Sequence, residues 1–117
     1  VNDYFFYIAF GAFFVFVIGK QIMAARRRIP GEQARSLVKS GATLVDVRSS
    51  GEFASGHLPG AVNYPLHELG RRLEGLPAKG AIVVYCHSGA RSARAFSMLK
   101  RAGREVHDLG PQRAWST

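Results

Sequence analysis

Cys86 and Arg91 are the residues whose types and spacing best suit chemistry. The stretch Val83-Val84-Tyr85-Cys86-His87-Ser88-Gly89-Ala90-Arg91-Ser92 carries an apolar, β-branched run into the one cysteine of the chain, and a helical pattern begins beyond the arginine. A strand that delivers a thiol into a short glycine-containing loop at a helix N-terminus builds an electropositive pocket. The loop N–H groups have no intrahelical partner there, and the helix dipole adds partial positive charge. Such surroundings favour a thiolate and hold an anion in front of the sulfur. Nucleophilic cysteine chemistry on an anionic substrate is therefore the first expectation. As half of a metal site Cys86-His87 is unconvincing, because no second spaced pair accompanies it.

The elements that must position this loop can be read from periodicity. Residues 32–40 predict a helix with Ala34, Leu37 and Val38 on one face and Gly41 as its stop. Residues 43–47 have the nearly continuous apolar character of a buried parallel strand. Ser49 or Ser50 then caps a helical turn carrying Glu52 and Phe53, and residues 56–60 form a loop before a short strand at 61–63. Residues 66–73 predict a helix, 77–80 a turn and 81–85 a strand. After the cysteine loop, residues 92–102 predict a helix with Ala95, Phe96 and Leu99 inward and Gly103 ending it. A last strand is expected at 106–109. Strands alternating with helices imply an α/β fold, an open parallel sheet flanked by helices, whose ligand site lies off the carboxyl ends of the strands. Cys86 falls at such an end.

Charge and hydropathy are unevenly spread. The 117 residues have room for a single core, and their formal net charge is +8. Lys20 and Arg26-Arg27-Arg28 supply four of the cations, and residues 30–117 keep a net charge of +5. A basic domain suits anionic small molecules, nucleic acid or an acidic membrane face. No RNP-like aromatic strand, zinc spacing or basic helix with heptads accompanies the charge, so nucleic acid is not an expected partner. One cysteine forms no internal disulfide, which is compatible with a reducing compartment.

Residues 4–19 contain no charge. At helical rise they span about 24 Å, and continuing through Ala25 with Lys20 snorkelling gives about 33 Å, enough for a hydrocarbon core of roughly 30 Å. Tyr4 and Tyr7 lie at one end, and the arginine cluster closes the other. A secretory signal carries its charges before the apolar run, whereas here they follow it. A core helix would need a larger partner domain, and an interfacial helix would need a polar face. The reading is a transmembrane helix at 1–25, a basic juxtamembrane linker at 26–30 and a domain at 31–117. By the positive-inside rule this is a single-pass membrane protein with its domain on the cytoplasmic side.

Three motifs then carry a family resemblance. Leu44-Val45-Asp46-Val47-Arg48 followed by Glu52-Phe53, then Gly56-His57-Leu58-Pro59-Gly60-Ala61-Val62-Asn63, then the Cys86–Arg91 loop, resemble a rhodanese domain in order and spacing over residues 30–115. The resemblance implies a rhodanese-like sheet and a sulfurtransferase in which Cys86 takes a sulfane sulfur as a persulfide. It implies thiosulfate or another sulfane-sulfur anion as donor, and cyanide or cellular thiols as acceptor. No metal or organic cofactor is implied. Cys86 is the expected catalytic residue, and His87, Ser88, Gly89, Ala90, Arg91 and Ser92 the expected substrate-binding loop, with Arg91 orienting the donor's oxygens. The six residues from Cys86 to Arg91 match sulfur, since rhodanese-like phosphatases and arsenate reductases use a loop one residue longer.

Other residues read as scaffold. Asp46 and Arg48 are expected to be structural, with Arg48 and Glu52 as an ion pair. His57 is expected to hydrogen-bond the fold, and His67 and His107 have no motif around them. Arg94 widens the positive field of the mouth or lies on a solvated helix face. Where rhodanese domains tend to show Gly-Gly before an alanine–tryptophan pair, this chain has Gly110-Pro111, which requires negative φ at 111 and removes a donor. Trp115 is expected to pack on the core near the active face. A second functional reading is a membrane-tethered persulfide carrier or docking module that serves a membrane protein partner with little turnover of free thiosulfate. An inactive scaffold is disfavoured by the intact Cys86 and Arg91.

Overall fold

A computed structural model describes residues 3–117, so Val1 and Asn2 of the expected membrane span lie outside the described residues. Helix α1, Asp3–Arg26, has no buried residue, and its phenylalanines stand exposed along its length. Its mean hydropathy over the most apolar window is 1.9. At helical rise its 24 residues measure about 36 Å. Among the described residues it is one helix long and apolar enough to cross a membrane.

The rest of the chain builds an α/β domain. Four parallel strands, β1 (Thr43–Asp46), β2 (Val62–Asn63), β3 (Ile82–Cys86) and β4 (Val106–Pro111), lie in the order β2-β1-β3-β4. Helix α2 (Gly31–Lys39) precedes β1, and helices α3 (Ser50–Ala54), α4 (Leu66–Leu69) and α5 (Ala90–Arg101) run between successive strands. The expected strand pattern holds best for β3, where all five residues are buried. Side chains alternate across a strand. Ile82, Val84 and Cys86 therefore enter the cluster beneath α4 and α5, with Leu69, Ala95 and Leu99, whereas Val83 and Tyr85 enter the cluster with Ala34, Leu44 and Leu58.

Helix ends follow from local chemistry. Ser49 accepts the Glu52 N–H at 3.2 Å while a Glu52 carboxylate oxygen accepts the Ser49 N–H at 3.0 Å, a capping box that starts α3. At the end of α2, Gly41 N–H donates to Val38 O and Ala42 N–H to Leu37 O, the paired bonds of a glycine-terminated helix.

Several boundaries differ from the periodicity. The expected helix at 66–73 is only Leu66–Leu69, followed by a 3-10 turn at Leu73–Gly75. Gly70 is unfavourable in a helix interior, and the charged Arg71 and Arg72 that follow it offer no apolar face to bury. Strand β4 runs to Pro111, beyond the expected 109, because a shift in register lets Gly110 and Pro111 pair with Tyr85 and Cys86. A further 3-10 turn, Gln112–Ser116, places Trp115 in the Ala34–Leu44 cluster with α2. Trp115 thus packs on the core as expected, but in the cluster across the sheet from the one that holds Cys86. The return of the chain across the sheet edge decides the side.

Residues 27–29 are docked on the domain. Ile29 N–H donates to the Asp108 carbonyl at 2.9 Å, and its side chain packs in the Ala34–Leu44 cluster. The Arg27 guanidinium lies 4.4 Å from the centre of the Phe96 ring and reaches the Ala93 carbonyl at 3.4 Å.

Leu99 is fully buried between α5 and the sheet. Leu99→Ala should lower the unfolding free energy by about 2–5 kcal/mol through lost transfer energy and a residual cavity. In urea titration of the detergent-solubilised chain the midpoint should fall with the slope unchanged.

Candidate active site

The site is assembled where β3 ends and α5 begins. Cys86 is the last residue of β3 and fully buried. Helix α5 starts at Ala90, earlier than the expected 92, so Ala90, Arg91 and Ser92 form its first turn. Its N-cap, Gly89, has φ 106° and supplies no side chain to cap the helix. A left-handed conformation of this kind favours glycine. The sulfur takes the capping role: Cys86 Sγ accepts the Gly89 N–H at 3.0 Å and the Ser92 N–H at 3.3 Å. Ser92 Oγ donates to the Gly89 carbonyl at 3.1 Å and closes the loop on itself. Oriented amides and a helix N-terminus stabilise negative charge on an atom so placed. Two of the expected loop amides thus reach the sulfur. His87, Ser88 and Ala90 are exposed at the rim, whereas Gly89 and Ser92 are buried beneath it.

Arg91 closes the loop but is already partnered. Its two terminal nitrogens donate to the two Glu52 oxygens at 2.6 and 3.0 Å. This bidentate pair raises the Arg91 pKa, and the guanidinium holds the Glu52 carboxyl well below the usual carboxylate range, helped by the Ser49 N–H. The expected Arg48–Glu52 pair is therefore wrong. Arg48 folds back onto Asp46 instead, with Nε at 3.0 and 2.9 Å from the two carboxylate oxygens and Nη2 at 2.7 Å from Oδ2. Position i−2 on the strand end faces Arg48 inside the fold, while Glu52 lies in the first turn of α3 beside the cysteine loop.

Asp46 centres a buried network that joins the two remaining motifs. Its Oδ2 also accepts the Tyr85 hydroxyl at 2.9 Å, and the Tyr85 oxygen accepts the Leu58 N–H at 3.1 Å. Arg48 Nη2 donates to the Gly56 carbonyl at 2.7 Å, and Asn63 Nδ2 donates to the carbonyls of Asp46 and Arg48, each at 2.9 Å. Hydrogen bonding to Asp46 raises the Arg48 pKa, and burial raises that of Tyr85. Both Asp46 and Arg48 are buried, in keeping with a scaffold role. His57 behaves likewise: its Nδ1 lies 2.9 Å from the Phe53 carbonyl and its ring stacks on Phe53 at 3.7 Å.

The fold and the C-x4-R loop at the head of α5 coincide with family membership. Residues 30–111 match the rhodanese-like domain. This chain belongs to the rhodanese-like family. It is 36% identical over 97 residues to the thiosulfate sulfurtransferase GlpE of Pseudomonas fluorescens, covering 81% of this chain and 89% of that protein. To a sulfurtransferase of Allochromatium vinosum it is 39% identical over 75 residues, 62% of this chain and 70% of the relative. The human single-domain sulfurtransferase TSTD1 superposes with a TM-score of 0.67 at 31% identity, over 77% of this chain and 95% of its own.

A residue expected only at the membrane boundary also reaches the rhodanese loop. Arg28 runs over Gly110 and on to Gly89, filling the space that a Cβ would need at either glycine. Gly110 has φ 82°, and Pro111 follows with φ −73°, the negative value required of it. Arg28 Nε is buried without a hydrogen-bond partner among the described residues. Beside it, burial raises the Asp108 pKa against the lowering effects of the Ser92 hydroxyl, the Gly110 N–H and Arg28. Position next to a predicted helix end carried no signal of this contact; it follows from docking of the linker.

The Glu52–Arg91 pair has a defined pH dependence. A carboxyl held below its unfolded pKa stabilises fully above roughly pH 4.3, and the contribution disappears as pH falls through the depressed folded value. Both side chains are 36% exposed, so the amount is below about 1 kcal/mol. Thermal unfolding midpoints of wild type and Glu52→Gln should therefore differ slightly above roughly pH 5 and converge in stronger acid.

Proposed function

We propose that this protein is a membrane-anchored sulfurtransferase that moves a sulfane sulfur from thiosulfate or a similar anionic donor to cyanide or a cellular thiol through a Cys86 persulfide. The observation that carries the reading is the sulfur at the N-terminus of α5, approached by the Gly89 and Ser92 amides. The Cys86 thiolate attacks the outer sulfur of thiosulfate. A new S–S bond forms, the donor's S–S bond breaks, and sulfite leaves with the electron pair. The terminal persulfide sulfur then carries the negative charge, and loop amides stabilise it as an oxyanion hole would. The acceptor attacks this outer sulfur, the Cys86–S bond breaks, and the Cys86 thiolate returns. Two half-reactions on one nucleophile give double-displacement kinetics.

His87, Ser88 and Ala90 form the rim that admits donor and acceptor, and Gly89 and Ser92 line the charge-stabilising floor. Arg91, held by Glu52, adds fixed positive field and sets the end of the loop. Helix α1 anchors the protein in the membrane, and Arg26, Arg27 and Arg28 at its end place the domain on the cytoplasmic side. A cytoplasmic face keeps a lone thiol reduced between turnovers.

The test is steady-state thiocyanate formation from thiosulfate and cyanide by the detergent-solubilised chain. Parallel double-reciprocal lines are expected for wild type, and activity at background for Cys86→Ala. Activity retained by the alanine variant would overturn the assignment of Cys86.

A further inference from the structure

The cation that closes the loop in sequence is not the cation left free to bind a donor. Arg91 spends both terminal nitrogens on Glu52. Arg28 makes no such bidentate pair: its Nε and the Oδ2 of the neighbouring buried Asp108 are both without a hydrogen-bond partner among the described residues, Asp108 feels its charge, and its guanidinium end lies against Gly89. Gly89 is the residue whose amide donates to Cys86 Sγ. Gly110, over which the Arg28 stem passes, precedes the Pro111 that pairs with Cys86 in the sheet. The side chain therefore crosses the carboxyl edge of the sheet from the end of β4 to the head of α5. Nearby, Arg27 and Arg94 stand with Arg28, Ser88 and Gly89 around one concave surface and add positive charge beside the loop.

We propose that Arg28, from the segment joining the anchor helix to the domain, is a donor-binding residue whose guanidinium holds the oxyanion of the sulfur donor over the Cys86 loop. The proposal rests on the sulfurtransferase reading and deepens it. A guanidinium presents several fixed N–H donors to a sulfonate-like group, and the charge assists each bond. In this arrangement the anchor supplies a part of the binding site as well as a tether. The preference is for donors with an oxyanion, while a neutral sulfane compound gains nothing from Arg28.

The experiment compares wild type, Arg28→Met and Arg28→Lys as full chains in detergent, with thiosulfate and a neutral organic trisulfide as alternative donors. Arg28→Met is expected to raise KM for thiosulfate at least about tenfold, the loss of one hydrogen bond to a charged group. Its kcat should change less, its rate with the trisulfide should be unaltered, and Arg28→Lys should recover part of the thiosulfate KM. Equal losses on both donors would reduce Arg28 to a structural prop, and no loss on either would remove it from the site; each overturns the proposal. Calorimetric titration of sulfite into Cys86→Ala, with and without Arg28→Met, needs no turnover. Weaker sulfite binding with Arg28→Met supports the anion site even if wild type transfers no sulfur, in which case only the transfer reading falls. Unchanged or undetectable sulfite binding in the parent pair overturns the role of Arg28.

Discussion

Helix α5 is preceded by an N-cap glycine that has no side chain to cap it, and the sulfur of Cys86 accepts the amides of Gly89 and Ser92 instead. Much of the domain follows from that arrangement. The sulfur must sit at the end of a strand, buried, and within hydrogen-bond reach of residues three and six positions on. The loop must turn sharply, which the left-handed Gly89 allows. The helix must then run back along the sheet, and Ala95 and Leu99 pack it against Ile82, Val84 and Val106. A parallel strand on either side of β3 covers both edges of the strand that carries the nucleophile. A sulfur placed this way is surrounded by groups that favour negative charge on it, which is what a nucleophile and a persulfide both need.

The rest of the chain holds this end of the sheet rigid. Asp46 on β1 is fully buried and would be unfavourable there alone. Arg48, the Tyr85 hydroxyl and the Arg48 N–H satisfy it, and through them the loops around Gly56 and Leu58 are tied to β1 and β3. Breaking such a buried pair by removing one partner typically costs about 3–5 kcal/mol. Tyr85 directly precedes Cys86, so the network fixes the backbone that presents the thiol. Glu52 adds a second tie, from the first turn of α3 to the first turn of α5. The domain positions its loop from three directions: the strand below, the β1 turn beside it, and the linker residues Arg27, Arg28 and Ile29 across it.

What the sequence disclosed and what it did not divide along a physical line. Local patterns were legible: the buried run of β3, a serine cap at 49 or 50, the glycine stop after α2, and the thiol at a strand end. The three motifs carried the rhodanese fold, and the family match bears that out. Pairings that depend on three-dimensional approach were not legible. Glu52 is four positions from Arg48 and 39 from Arg91, so spacing favoured the nearer arginine, yet the cap that starts α3 aims the carboxylate at the loop. The side of the sheet on which Trp115 packs could not be read, because the register shift in β4 and the turn after it leave no periodic signal. Arg28 carried two possible meanings in one residue, a charge at a membrane boundary and a side chain over a catalytic loop, and only the fold of the linker brings out the second.

The central claim is that the capped sulfur of Cys86 accepts a sulfane sulfur. Intact-mass measurement before and after thiosulfate, on the detergent-solubilised wild type and Cys86→Ala, tests it most directly. The account predicts a gain of one sulfur atom on wild type, removed by a thiol reductant or by cyanide, and no gain on the variant. An unmodified wild type after thiosulfate and other sulfane donors, or the same adduct on Cys86→Ala, would contradict it.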